Sequence, residues 1–582
     1  MSDYLISQDD PRSERGDQLA AMRESYKYDV TYGFPVSASK GDPAPAGNLW
    51  QLRILKTQGR ERANVVALKH RGRWNFVNDL PSLGPAKLLA MVREGDVGGL
   101  VDYFMPDPGD VSNPGELPTL QDYRDIFVKT RLPSVAGRFD SDEYFAEAMV
   151  AGLDPTRLVR MNGIPAKFPL NSGHLSAVPE RNGESLETAM AAGRVYWIDH
   201  QVMSVLANGR HSQDPKYMYA PMVAFAVARS GGPLRPFAIQ CGQDPAGRQI
   251  YTPADGNSWR IAKNCVLAAH NTYHEVLTHL GFTHLLSEAV WLAAVRNLAS
   301  VHPVAVLLRR HFEGTMSINK LAVDVLIQPG RAVDYLIGSE LKSTWSLLSA
   351  ERGAFSFTGN YLPDRFATHG TDSLVSLPYY PYRDDGLLVW NAVQRWAGEF
   401  VTAYYPSDAA VRADLELQRW AAEVAAPDGG KVRDFGATPG RIEDRNDLVA
   451  ILTMVIWTAG PQHAAVNFSQ LDHSSFLPAN PLAGYTPEPV GSGHTDADWL
   501  ASLPPLDVAV QQYGVMTLLG SVHYTVLGDY GDDFRDSRVG AASRVFRDAL
   551  SEVDNEITAR NAGRRHPYEY LRPSLIPNST NI

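Results

Sequence analysis

Residues 274–327 read HEVLTHLGFTHLLSEAVWLAAVRNLASVHPVAVLLRRHFEGTMSINKLAVDVLI, and they decide the fold. Just upstream, Ser258-Trp259 opens an apolar segment that runs on through IAKNCVLAAHNTYHEVLTHLGFTHLLSEAVWLAAVRNLASV, more than 40 residues in all. Ordinary globular helices average about 11–12 residues, so a helix this long is one that others wrap at the middle of a large domain. Helical patterning continues at 304–313, 315–328, 384–404, 408–425, 445–470, 505–520 and 538–562. The middle and C-terminal two-thirds are therefore predicted to be all-α around a few central apolar helices. The run Leu448–Gly460 (LVAILTMVIWTAG) is 13 residues, too short to span a bilayer, and reads as a buried core helix.

The composition agrees. Of 582 residues 44% are hydrophobic and 20% charged, which excludes disorder and collagen-like repeats. The net charge of −11 argues against nucleic-acid binding. Two cysteines, Cys241 and Cys265, build no disulfide framework and suit a reducing compartment. The start, MSDYLISQDDPRSERGD, carries no apolar leader segment. A cytoplasmic chain with no transmembrane segment is expected. Residues 1–45 read as a polar N-terminal arm and 46–582 as one catalytic domain. Within it 48–78 shows short β-like alternation, and 85–105 reads as one or two amphipathic helices broken near Gly98-Gly99. Pro/Gly-rich loops are expected at 106–119, 426–441 and 478–494, and no fixed-period repeat is seen.

His270, His274, His279 and His284 put four imidazoles into fifteen residues of the long helix, each flanked by apolar residues. A lone buried histidine is usually bonded to a neighbour, but burying several without partners is costly. A metal ion answers that cost, since neutral imidazole is its commonest side-chain ligand. His274-Glu275 followed by His279 is superficially like the zinc-protease HExxH pattern, but the histidines are five apart rather than four. Five residues subtend about 140° round an ideal helix, so two such ligands converge only where the helix widens into a π-bulge, a feature concentrated at functional sites. A second signal is WTAGPQHAAVNFSQ at 457–470, where His463 and Asn467 share a helix face. The bland reading there is a buried His–Asn hydrogen bond. A third is the apolar chain end LIPNSTNI, whose terminal carboxylate on Ile582 is anionic at neutral pH.

Together these segments resemble the lipoxygenases. Residues 274–327 carry that family's His-x4-His-x4-His ladder, its His-Pro step at 302–303, its Leu-Leu-x-x-His ending on His311 and its Ile-Asn helix start at 318–319. HAAVNF (463–468) matches the second ligand helix and PNSTNI (577–582) the C-terminus. SDEYFAEAMVAGLDPTRLVR, GRVYWIDHQ and YTPADGNSWRIAK are weaker matches, and the likeness runs from about residue 117 to 582. It implies a mainly α, lipoxygenase-like catalytic domain around a long central helix, with a small β-containing part. It also implies His279, His284, His463, Asn467 and the carboxylate of Ile582 as ligands of one non-haem iron, with manganese as the alternative metal. A water or hydroxide takes the remaining position. This set extends the two-His-one-carboxylate arrangement of non-haem iron sites. His274, Glu275 and Gln470 are implied as neighbours supporting the ligands. The implied reaction is abstraction of a bis-allylic hydrogen from a polyunsaturated fatty acid by Fe(III)–OH, followed by addition of dioxygen to the pentadienyl radical.

The resemblance also assigns a channel. Ile318, Ala322 and Leu326 form one stripe at i, i+4, i+8, where periodicity alone says only core packing. By resemblance this stripe borders the substrate, and Ala at 322 implies mainly S-hydroperoxides. Val333, Leu336 and Ile337 match the region that sets pocket depth, and Leu518 is a candidate opposing wall. FSQLDHSSFLPANP has no Arg where plant relatives often carry an anchor, leaving Lys320 as a candidate for the substrate carboxylate. The family's N-terminal PLAT-type β-barrel is expected to be absent, giving a compact, bacterial-type enzyme, a monomer or weak oligomer. Residues 46–116 become a candidate channel-covering subregion. The competing readings are a hydroperoxide isomerase or lyase at the same metal, and a non-catalytic lipid-binding protein on the same fold.

Overall fold

The computed structural model describes residues 14–39, scattered positions between 53 and 68, 117–178, 183–580 except 524, 532 and 535, and 582. The expected helices at 85–105 lie outside the described residues. Of 48–78 only isolated positions are described, and these are helical rather than β-like.

The long helix exists and is three pieces in one column, here α1: Asn257–Tyr273, His274–His284 and Leu285–Asn297. Its middle piece is π-helical. The column ends at Asn297, four residues short of the expected Val301. Asn297 Nδ2 donates to the Ala293 carbonyl (2.9 Å) and to Glu423 (2.6 Å), and Leu298 is already extended.

Around this column stand α2 (Thr315–Leu321, continued by a π turn Ala322–Leu326), α3 (Leu341–Ala354) and α4 (Pro381–Tyr404). They are followed by α5 (Arg445–Trp457, a π turn Thr458–Gln462, then His463–Asn467), α6 (Leu506–Ser521) and α7 (Ser537–Gly563). Helix α3 was not anticipated, because its buried stripe (Leu341, Thr344, Leu347, Leu348, Arg352) contains a threonine and an arginine. The expected helix 408–425 breaks at Asp414, which caps Leu415–Ala425 through Leu417 N (3.1 Å) and accepts from Tyr405 Oη (2.8 Å) and His302 Nε2 (3.0 Å). The helical run Arg445–His473 is long and apolar enough to cross a membrane, but 83% of its apolar window is buried inside the protein. It is a core helix.

The small β-part is a four-stranded antiparallel sheet in the order β1 (Val159–Arg160), β2 (Val195–Asp199), β3 (Met222–Ala226), β4 (Arg235–Gln240). Both faces are covered, which is why β3 is apolar at every position. Val223 and Phe225 face the main helical core, while Met222, Ala224 and Ala226 face a second small core with Phe168, Leu175 and Leu186. Among the described residues there is no closed barrel.

Residues 14–39 of the sequence read as an arm are docked on the helical body. Arg15 Nε lies 2.7 Å from the buried Glu416, Tyr28 Oη reaches Glu423 (3.2 Å), and Ser37 N donates to Glu288 on α1 (2.7 Å).

The π segment of α1 packs against α3 so closely that a Cβ on Gly281 would lie 2.7 Å from Leu348 Cδ1. Gly281→Ala should therefore cost about 1–2 kcal/mol by overpacking. Combining it with Leu348→Ala should cost less than the two single changes summed, because the second removes the obstructing methyl. Strict additivity in paired melting experiments would disprove the contact.

Candidate metal centre

Hydrogen bonding from i to i+5 places residues five apart roughly one turn apart. The eleven-residue π segment thereby turns His279 and His284 onto one side of α1, and their Nε2 atoms lie 3.2 Å apart. Thr283 Oγ1 donates to the Thr278 carbonyl (2.7 Å), adding a side-chain bond across the widened turn. A second π turn, in α5, contains Pro461, whose missing N–H a regular helix would not tolerate. It delivers His463 to the same point. The rings of His284 and His463 stand 4.9 Å apart, those of His279 and His284 4.8 Å. The candidate ligand nitrogens of the three buried histidines all lie within 4.8 Å of one another.

The chain terminus reaches this cluster. Ile582 is buried, and its terminal oxygen lies 3.3 Å from His463 Nε2. Gly460 lets the tail pass, since a Cβ there would come within 3.0 Å of the Pro577 carbonyl. Asn467 sits one turn beyond His463, fully buried. Its Nδ2 donates to the Leu519 carbonyl (2.8 Å), and its Oδ1 accepts from Gln470 Nε2 (3.2 Å).

Outer partners fix the tautomers. Asn319 Nδ2 donates to Glu288 (2.8 Å) and to the His284 carbonyl (3.0 Å), so its Oδ1 must accept from His284 Nδ1 (2.8 Å). His279 Nδ1 lies 3.4 Å from Glu275 Oε2. Both Nε2 atoms then carry lone pairs that face each other at 3.2 Å, a repulsive arrangement that a cation between them resolves. Three neutral imidazoles and one terminal carboxylate fit a divalent or trivalent metal ion.

Burial holds His284 down at about 3, and holds His279 and His463 below the ordinary histidine value too, so all three are neutral, as ligands must be. His274 is not in this cluster. It donates through Nε2 to the Val466 carbonyl of α5 (2.7 Å) and faces Glu275 at 3.5 Å, acting as a strut between the two ligand helices. Burial alone would raise Glu275, but His274 and His279 beside it bring its carboxyl down to about 2.

An apolar cavity of about 120 Å³ opens against this centre. All seven channel residues taken from the sequence line it: Ile318, Ala322, Leu326, Val333, Leu336, Ile337 and Leu518. So do Glu275, His279, His284 and Ile582 at the polar wall, and Leu280, Leu482, Val515 and Leu519, which sequence reading missed. Lys320 is not among them and pairs with Asp324. Asn319 was also missed as a site residue. It belongs to the Ile-Asn motif, but it lies 35 residues from His284, and no local periodicity connects the two.

Fold and site define the class: a helical protein with an apolar cavity against a buried histidine cluster suited to a non-haem metal. The lipoxygenase family model matches residues 121–568. The linoleate 9/13-lipoxygenase of Pseudomonas aeruginosa is 39% identical over 566 residues, 94% of this chain and 77% of that one. The polyunsaturated fatty acid lipoxygenase ALOX15B of Homo sapiens is 33% identical, over 80% of this chain and 69% of its own. The crystal structure of a coral 8R-lipoxygenase matches with a TM-score of 0.84 at 26% identity, covering 100% of this chain and 83% of that one. The chain belongs to the lipoxygenase family and is an oxidoreductase of the dioxygenase kind.

Asn319→Leu removes the acceptor that fixes His284 and should cost about 10–100-fold in metal affinity, read as metal retained after dialysis against a chelator. Unchanged retention would show that His284 needs no fixed tautomer. Burial also holds His270 and His311 at about 4 and His284 and His473 at about 3. Their native values lie below the unfolded value of about 6.5, so the unfolded state takes up protons that the native state refuses. The metal-free chain should thus lose about 1 kcal/mol per such histidine between pH 7.5 and 5.5. A flat melting profile over that window would contradict it.

Proposed function

We propose that this lipoxygenase holds one iron on His279, His284, His463, Asn467 and the carboxylate of Ile582. It inserts dioxygen into polyunsaturated fatty acids bearing a (1Z,4Z)-pentadiene, giving mainly S-hydroperoxides. The observation that carries this reading is the cavity itself: its wall is hydrocarbon except where Glu275, His279, His284 and Ile582 meet it.

An iron held by these residues would supply the one-electron oxidant needed to remove a hydrogen atom from the bis-allylic carbon. The chain's own residues do the rest. Ile318, Ala322 and Leu326 from α2, and Leu518 and Leu519 from α6, confine an apolar chain and exclude water. The depressed imidazoles stay unprotonated throughout the neutral range. Ala322 presents only a methyl group to the cavity, leaving space for dioxygen to approach one face of the pentadienyl radical. The overall change, RH + O2 → ROOH, needs no further reductant.

Full-length chain with a free C-terminus, given linoleic acid, should take up oxygen in step with conjugated-diene absorbance and contain about one iron. Ala322→Gly should raise the R share on chiral analysis. Bound metal without oxygen uptake would favour hydroperoxide chemistry or lipid binding, and manganese in place of iron would correct the metal.

A further inference from the structure

A chain end is ordinarily frayed, yet here it delivers a carboxylate to the metal centre. The tail is held on one side by Thr525, Gly528 and Asp529, which bond the backbone N–H and side chain of Asn578 (3.0, 3.0 and 2.7 Å), and on the other by the segment leading into α2. Ser579 Oγ donates to the Glu313 carbonyl (2.8 Å), Thr580 Oγ1 meets Thr315 Oγ1 (2.9 Å), and the Asn578 carbonyl lies 3.0 Å from His311 Nδ1. His311 ends the Leu-Leu-x-x-His step, and the ligand set gives it no task. It is fully buried.

The direction of every bond through His311 is fixed. The Asn578 carbonyl only accepts, so Nδ1 carries the proton, and Nε2 of the neutral ring must then accept. It does so from Tyr530 Oη at 2.9 Å. Tyr530 Oη in turn accepts from Trp396 Nε1 at 2.9 Å, and an indole only donates. Trp396, Tyr530, His311 and Asn578 therefore form one ordered chain of donors, fully buried, running from α4 to the tail four residues before Ile582. Breaking it leaves a buried carbonyl unpaired.

We propose that His311 is a positioning residue for the metal. Through Asn578, and backed by Tyr530 and Trp396, it sets the terminal carboxylate of Ile582 against the histidine cluster. This rests on the metal-centre reading above.

The test is the rate at which full-length holoenzyme gives up iron to a chelator, measured beside the melting temperature. His311→Phe should release iron about 10–100-fold faster. Tyr530→Phe, nearly isosteric, should do so by less, and Trp396→Phe by least. Melting losses should instead follow the side-chain volume removed, with Trp396→Phe the largest. Release rates that track melting losses would reduce His311 to a packing residue and overturn the proposal. So would wild-type release from folded His311→Phe or, if that variant fails to fold, from Tyr530→Phe. Wild-type chain that binds no iron would overturn the metal-centre reading itself, and this one with it.

Discussion

Two histidines five residues apart must aim at one point, and most of the architecture answers that demand. A regular helix would turn them well away from each other, so α1 widens for eleven residues. Widening must be supported from outside. Helix α3 packs against the swollen segment at Gly281, and Thr283 adds a bond across its turn. The opposing ligand helix repeats the device around Gly460-Pro461, which brings His463 forward and clears a path for the tail. Long buried helices on either side are what make two irregular turns affordable in a hydrophobic interior.

The second constraint is polar. Lone pairs facing each other at 3.2 Å repel, and a cation between them relieves that repulsion. Their direction is set one layer out, by Asn319 on His284 and Glu275 on His279. That layer is itself bonded onward: Asn319 to Glu288, and Glu288 to the backbone of Ser37. The candidate metal site is thus tied to a short N-terminal strand, Val36–Ser37, some 250 residues away in sequence, through two side chains, neither of them in the proposed ligand set.

The legible part of this protein was the part whose information is local or strongly typed. The histidine ladder, the His463-Asn467 pair and the apolar terminus point to a metal centre, and the five-residue gap by itself requires a π-bulge for the two histidines to converge. The apolar stripe at 318, 322 and 326 was legible as a helix face, though only resemblance made it a channel. What escaped were contacts between distant segments. Asn319 reads as an ordinary helix residue until His284 is beside it. Helix α3 hides its buried face behind Thr344 and Arg352. The break at Asp414 comes from His302, 112 residues away, and Tyr405, 9 residues away, which pull a carboxylate out of an otherwise helical run.

Two distant segments, at Ser37 and at 578–582, converge on the same centre by different physics. The N-terminal strand acts through Glu288 and Asn319 on the orientation of a neutral ring. In the proposed ligand set the C-terminus acts through its own charge, at a position held by hydrogen bonds to residues 311–315 and 525–529. A neutral ligand tolerates small errors of placement because its partner groups re-form around it. A lone carboxylate in a dry site does not, since its interaction with the cation is steep at short range and unscreened by water. The tail is accordingly bonded at three successive residues, Asn578, Ser579 and Thr580, whereas the strand at Ser37 contributes one backbone donor to the network. On the proposed ligand set, charge at the terminus is the physical reason for so much buried polar bonding in the last few residues.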